Sequence, residues 1–197
     1  VELDVYLCGN TLVVIHDDTL DRTTNARGAI SDRSLAELRA VDAGAGQRIP
    51  TLEEVLDLVA GRVAVNVELK GKGTARRTAA VLAHYPDTEL LVSSFDHDEL
   101  NRFRATTRAV PVAPLFGRIR ADMFQVAADL NAWGINLSRK IAAPDLLGEA
   151  KHRGYRTLVY TVNDPREARR LREHGAGGIF TDYPDRIRQD GGKGEGL

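Results

Sequence analysis

Three acidic side chains on two short extended runs, Glu2 and Asp4 in Val1–Leu7 and Glu68 in Ala64–Lys70, are the first candidates for chemistry in this chain of 197 residues. Carboxylates with no thiolate or compact histidine set beside them suit a hard divalent cation, magnesium or calcium before zinc. Lys70 stands two positions beyond Glu68 and so shares its side of an extended strand, where an ammonium can bind an anion beside the cation. His16 closes the apolar run Leu12–Ile15 and is followed by Asp17 and Asp18. A cation, an ammonium and an imidazole around one cavity suit hydrolysis or transfer at a phosphate ester, where anionic charge must be neutralised and a leaving oxygen protonated. Each signal also has a plainer reading. An E-x-D triplet is commonly a solvated strand face, and a histidine at a loop mouth is commonly satisfied by a backbone carbonyl. His84, His97, His152 and His174 fall on or beside expected helices, where solvent exposure is the ordinary outcome.

The strands that would carry these groups alternate. Glu2 and Asp4 share one face against Val1, Leu3 and Val5; Asn66, Glu68 and Lys70 oppose Val65, Val67 and Leu69; Asn136, Ser138 and Lys140 oppose Ile135, Leu137 and Arg139. An apolar set that packs on helices is thereby paired with a polar set pointing the other way. Burying so many ionisable groups without partners would cost several kcal/mol each, so the polar face must hold a metal, a charged ligand or water. An antiparallel sheet with one wet face would alternate in the same way. Helix-length connections favour parallel strands instead.

Those connections form a repeat. Extended runs begin at residues 64, 89, 111, 134, 156 and 178, which are 25, 22, 23, 22 and 22 residues apart. Helix-like stretches lie between them: Thr74–His84, Asp98–Thr107, Arg120–Ala132, Pro144–Arg153 and Pro165–His174. Pro144 and Pro165 suit a first helical turn, Asp164 an N-cap, and Gly154 and Gly175 the C-terminal ends. The front of the chain differs. Val1–Leu7 and Thr11–Asp17 read as two extended segments around the Cys8-Gly9-Asn10 turn, Asp18 to Pro50 as a polar excursion with a short helix near Leu35–Leu38, and Thr51–Ala60 as an amphipathic helix capped by Thr51. Val1–Leu7 and the six later runs give seven parallel strands, one fewer than a closed TIM-type (β/α)8 barrel needs. We expect that barrel, with a small insertion after the second strand at about 8–50, one domain over 1–190, a flexible tail at 191–197, and a first βα unit outside the given sequence. An open seven-stranded sheet satisfies the same periodicity.

Composition narrows the function. With 27 Lys+Arg against 28 Asp+Glu, the net charge of −1 supplies no broad basic face for nucleic acid or an anionic membrane. The single cysteine, Cys8, cannot form an internal disulfide, and the apolar runs fall far short of the roughly 20 residues of a spanning helix. The expected location is cytoplasmic.

Several short motifs, in order, extend over nearly the whole chain: Glu2-Leu-Asp-Val5, Val13-Val-Ile-His-Asp17, Leu20-Asp-Arg-Thr-Thr24, Gly28, Ile49-Pro-Thr-Leu52, Asn66-Val-Glu-Leu-Lys70, Ser94-Phe95, Tyr160-Thr-Val-Asn163 and Phe180-Thr-Asp-Tyr-Pro184. This series resembles the glycerophosphodiester phosphodiesterases. The resemblance implies hydrolysis of a small-molecule glycerophosphodiester to sn-glycerol 3-phosphate and an alcohol. It further implies a magnesium or calcium ion on Glu2, Asp4 and Glu68, His16 as one of two catalytic histidines, Lys70 steadying the phosphate, and Tyr160 walling the glycerol end. Tyr160 could equally fill the barrel mouth; Asn163 and Asp182 read as structural. The family's His-Arg-Gly and Glu-Asn-Thr motifs are not in this sequence, and its turn before the H-D strand is replaced by Cys8-Gly9-Asn10. The competing readings are a related phosphodiesterase with another substrate and a catalytically inactive barrel that binds a ligand or a protein.

Overall fold

The computed structural model describes residues 1–188; the proposed tail at 191–197 lies outside the described residues. The strands are β1 (Glu2–Cys8), β2 (Thr11–Val14), β3 (Val65–Leu69), β4 (Leu90–Ser94), β5 (Val112–Phe116), β6 (Gly134–Ser138), β7 (Arg156–Tyr160) and β8 (Gly178–Ile179). The helices are α1 (Leu35–Ala40), α2 (Leu52–Val59), α3 (Thr74–Leu82), α4 (His97–Thr106), α5 (Met123–Asp129), α6 (Pro144–His152), α7 (Pro165–Glu173) and α8 (Pro184–Arg188). The strand order is β2-β1-β3-β4-β5-β6-β7-β8. The chain divides into two compact units, Val1–Val92 with Asp98–Val110, and Ser93–His97 with the chain from Pro111. No helix among the described residues is long and apolar enough to cross a membrane.

In the first unit β1 pairs with β2 as an antiparallel hairpin, Cys8 opposite Thr11, and with β3 in parallel. The parallel register sets Glu2 opposite Asn66 and Asp4 opposite Glu68. Residues opposite one another point the same way, so the expected polar face forms from two strands at once. Leu3, Val5, Val65, Val67 and Leu69 fill the other face and are buried. The excursion after β2 carries its own apolar cluster, Leu20, Ile30, Leu38 and Ile49, packed with Cys8, Val13 and Ile15. Segments this polar hold a fixed path because those few side chains leave water, each worth roughly 1.5–3 kcal/mol when fully buried.

In the second unit β6 pairs in parallel with β5 and β7, and β7 with β8. Phe116, Ile135, Leu137 and Val159 face Met123 and Ala127 of α5, Leu147 of α6 and Leu171 of α7. Gly134 opens β6 where any Cβ would lie 2.6 Å from the Arg156 carbonyl oxygen, so only glycine permits that approach. The sequence-based helix limits hold at most ends. Asp164 accepts from the Arg166 N–H before Pro165, and Gly154 and Gly175 follow α6 and α7 with φ of +83° and +98°. Two expectations need correction. β6 stops at Ser138, leaving Arg139 and Lys140 in an exposed turn, so Lys140 does not continue the inward polar set. His97 is half-buried: its Nε2 lies 3.1 Å from the Leu115 carbonyl oxygen and its ring packs on Phe116, because α4 begins at His97 itself.

Helix α2 shows how a local signal is used. The Thr51 hydroxyl accepts from the Glu54 N–H at 3.2 Å while the Glu54 carboxylate accepts from the Thr51 N–H at 2.8 Å. Glu54 also binds Arg39 of α1, whose second contact is the Ile49 carbonyl oxygen, so the cap ties the excursion to α2. Thr51→Ala is expected to lower unfolding free energy by about 1 kcal/mol in a urea titration, with activity retained.

Candidate active site

The carboxylates of Glu2, Asp4 and Glu68 each offer an oxygen, and these atoms lie within 4.8 Å of one another. Adjacent strands put them there: the step from Glu2 to Asp4 keeps one face of β1, and the parallel register brings Glu68 of β3 alongside. Lys70 Nζ lies 3.4 Å from Asp4 Oδ1 and 3.1 Å from Glu68 Oε1. Glu68 Oε1 is buried and has no hydrogen-bond partner beyond this ion pair. When ionised, the three carboxylates outnumber the positive charge that Lys70 brings to them. The buried Asn66 Oδ1, on the strand residue opposite Glu2, also lacks a hydrogen-bond partner. A hard divalent cation fits this set: it matches the residual charge, prefers oxygen donors, and would give the orphaned oxygens something to bind.

The electrostatics agree with the geometry. Glu2 keeps solvent access at its residue surface, yet burial of its carboxyl, followed by the Asp4 and Glu68 charges, pushes its pKa up to about 7. Burial likewise raises Asp4 and Glu68, against the pull of Lys70. For Lys70 burial alone would disfavour the charged form, but Glu68 and Asp4 outweigh it and raise its pKa. The ammonium therefore stays protonated beside acids that resist ionising together.

His16 lies just beyond β2, where the Ile15 N–H donates to the Asp4 carbonyl at 3.2 Å. Its field reaches the acids, favouring ionisation of Asp4 and Glu68. The imidazole is largely exposed, and Nδ1 lies 2.5 Å from Asp17 Oδ1. Its partner is thus a carboxylate and not a backbone carbonyl. Arg22 grips that carboxylate with two donors, Nε to Oδ2 at 2.6 Å and Nη2 to Oδ1 at 2.9 Å, and holds the Asp17 carboxyl far below the usual range. Among the described residues, every side-chain hydrogen bond of His16 is made at Nδ1. With Nδ1–H assigned as donor to Asp17, Nε2 makes no hydrogen bond among the described residues. Asp17 and Arg22 were not singled out as site residues from sequence. The His-Asp adjacency was a usable signal; the arginine five residues on had none in local periodicity.

Tyr160 stands in the second unit at the end of β7, with Phe95 edge-on at 5.7 Å between ring centroids and Phe180 at 6.4 Å. It is part of an aromatic cluster whose outer member, Phe95, is 49% exposed. Asn163 accepts from the Asp182 N–H at 2.9 Å and donates to its carboxylate at 2.8 Å, which makes this pair a brace between the segments after β7 and β8.

Residues 1–186 match the Glycerophosphoryl diester phosphodiesterase family. The chain belongs to that family. Two curated relatives, both named glycerophosphodiester phosphodiesterase, come from Caldanaerobacter subterraneus subsp. tengcongensis and from Bacillus altitudinis. The first is 31% identical over 95% of this chain and 83% of its own length. The second is 31% identical over 94% of this chain and 83% of its own length. Among solved structures, a phosphodiesterase of Oleispira antarctica in complex with the product sn-glycerol-3-phosphate superposes with a TM-score of 0.90 at 30% identity, covering 95% of this chain and 83% of that one. The strand–helix repeat is accordingly that of a TIM-type α/β fold in a phosphodiesterase family.

The acid cluster makes stability depend on pH in a definite direction. Glu2 binds its proton more tightly folded than unfolded, so protein freed of cations is expected to lose stability as pH rises from about 4.5 to about 7. Urea titrations across that window with chelator present should show the loss, and excess divalent cation should reverse it.

Proposed function

We propose that this chain hydrolyses glycerophosphodiesters to sn-glycerol 3-phosphate and an alcohol, with Glu2, Asp4 and Glu68 as the ligands of a divalent cation. The observation that carries the reading is the meeting of these three carboxylates with Lys70 at one strand end, beside an imidazole oriented by a carboxylate. The bound product in the Oleispira relative supports the substrate class. An all-oxygen donor set favours magnesium or calcium over zinc. Such a cation, when bound, offsets charge on the phosphate's non-bridging oxygens.

The chain's own residues supply the rest. Lys70, held protonated by its acids, donates to a non-bridging phosphate oxygen and steadies the diester. His16, anchored through Nδ1 by Asp17, carries a proton on Nε2 and delivers it to the oxygen of the departing alcohol as the phosphorus–oxygen bond breaks. Water, or the glycerol hydroxyl next to the phosphate followed by water, replaces that alcohol on phosphorus, and the proton shed by the attacking oxygen passes to solvent. Tyr160, with Phe95 and Phe180, forms an aromatic cluster within the second unit. The soluble diester is the expected substrate, with no nucleic acid involved.

The test is release of glycerol 3-phosphate from glycerophosphocholine, with and without chelator. Release that stops on chelation and returns with magnesium or calcium supports the reading. Binding of the diester without turnover would make the protein a ligand-binding member of the family, and chelator-insensitive turnover would remove the cation from the reaction. General acid catalysis is typically worth about 10²–10⁴-fold, so His16→Ala should cut kcat by about that factor with the unfolding midpoint unchanged. Glu68→Gln should raise the cation concentration needed for half-maximal activity, whereas exposed His152→Ala should leave both kinetics and metal response as they were.

A further inference from the structure

Helix α3 begins without a cap of its own. Its N-cap is Gly73, with φ of +83° and no side chain to satisfy the first N–H groups. The acceptor comes from the following strand–helix unit. Glu99, in the first turn of α4, is 1% exposed, and its carboxylate reaches across to the start of α3. Oε1 accepts from the Gly73 N–H at 3.0 Å, Oε2 from the Ala75 N–H at 3.0 Å, and the Thr74 hydroxyl lies 3.4 Å from Oε2. Arg102, one turn on, balances the charge at 2.7 Å from Oε1. A carboxylate this deeply buried is retained only where charge and backbone donors hold it.

The segment it holds leads directly to Lys70. From Lys70 to Thr74 the chain reads Lys-Gly-Lys-Gly-Thr, and Gly71 and Gly73 both take positive φ, at +68° and +83°. Two glycines in five residues leave this link with many accessible paths. One end is fixed where the Lys70 N–H donates to the Val5 carbonyl at 3.0 Å, and the other where Glu99 grips Gly73 and Ala75. Between them the Thr74 hydroxyl reaches the Gly71 carbonyl at 3.3 Å. The ammonium of a four-carbon side chain can meet Asp4 and Glu68 together only if its backbone is held at the right height above β3.

We propose that Glu99 is a positioning residue for Lys70: by clamping Gly73 and Ala75 it sets where the Lys70 ammonium stands between Asp4 and Glu68. This rests on the reading of Lys70 as the phosphate-binding cation. Glu99 touches no substrate and acts only through the link.

A double-mutant cycle separates this role from plain helix capping. Glu99→Gln keeps the shape but loses the charge and one of the two acceptors, and Lys70→Met removes the ammonium. Kinetics on glycerophosphocholine at saturating magnesium are compared in both backgrounds. Glu99→Gln is expected to lower kcat/KM about tenfold when Lys70 is present and by less than about twofold in the Lys70→Met background, since residues acting through one group are not additive. Asp164→Ala, which removes the cap of α7, serves as a stability control and should leave kcat/KM unchanged. Should Glu99→Gln fail to fold, Arg102→Gln at the half-exposed end of the same clamp should give a smaller loss with the same dependence on Lys70. Equal losses in both backgrounds would overturn the proposal, as would an unaffected Glu99→Gln beside an impaired Lys70→Met. Wild-type kinetics in Lys70→Met would overturn the phosphate role of Lys70 together with this inference.

Discussion

Everything at the site depends on holding like charges together. Three carboxylates with oxygens inside 4.8 Å repel one another, and burial penalises each ionised form, which is why the Glu2 carboxyl is driven up to about 7. The polypeptide endures this because the parallel register of β1 and β3 gives the side chains no other direction: Asp4 stands opposite Glu68, and the apolar residues between them are committed to the opposite face. Lys70 relieves part of the repulsion. The remainder is unfavourable energy in the empty cluster that a divalent cation, held there as proposed, would relieve.

Around that cluster the fold divides rigidity and access. β3 is short and buried throughout, and it pairs with Glu2–Val5 of β1, which suits groups whose separation must not vary. His16 instead sits past the end of β2, exposed and fixed by a side-chain chain of Asp17 and Arg22. The two-donor grip of Arg22 on Asp17 gives this open position the order that a loop would otherwise lack. Lys70 falls between these cases, with its backbone held by Val5 as it leaves β3 into a glycine-rich link whose far end a distant carboxylate, Glu99, grips.

Much of the arrangement was legible in the residues. The recurrence of extended runs about 22 residues apart located the strands from β3 to β8, and proline, aspartate, threonine and glycine at helix ends located α2, α6 and α7, since capping chemistry is local. Parity on β1 and β3 puts Glu2 with Asp4, and Asn66 with Glu68, on a shared polar face from the residues alone. Parity fails at Lys140, because alternation cannot announce where a strand stops, and exposure is misjudged at His97, because a histidine opening a helix can turn inward to a strand carbonyl.

The sequence by itself determined the family, the strand–helix repeat, and which acids share a face, because periodicity and motif order are properties of neighbours along the chain. Only the tertiary structure decided that Asp4 meets Glu68 across two strands, that Arg22 closes on Asp17, and that Glu99 caps a helix 24 residues behind it. Those are contacts whose geometry follows from strand register and helix packing, and the chain between the partners carries no trace of the distance it spans once folded.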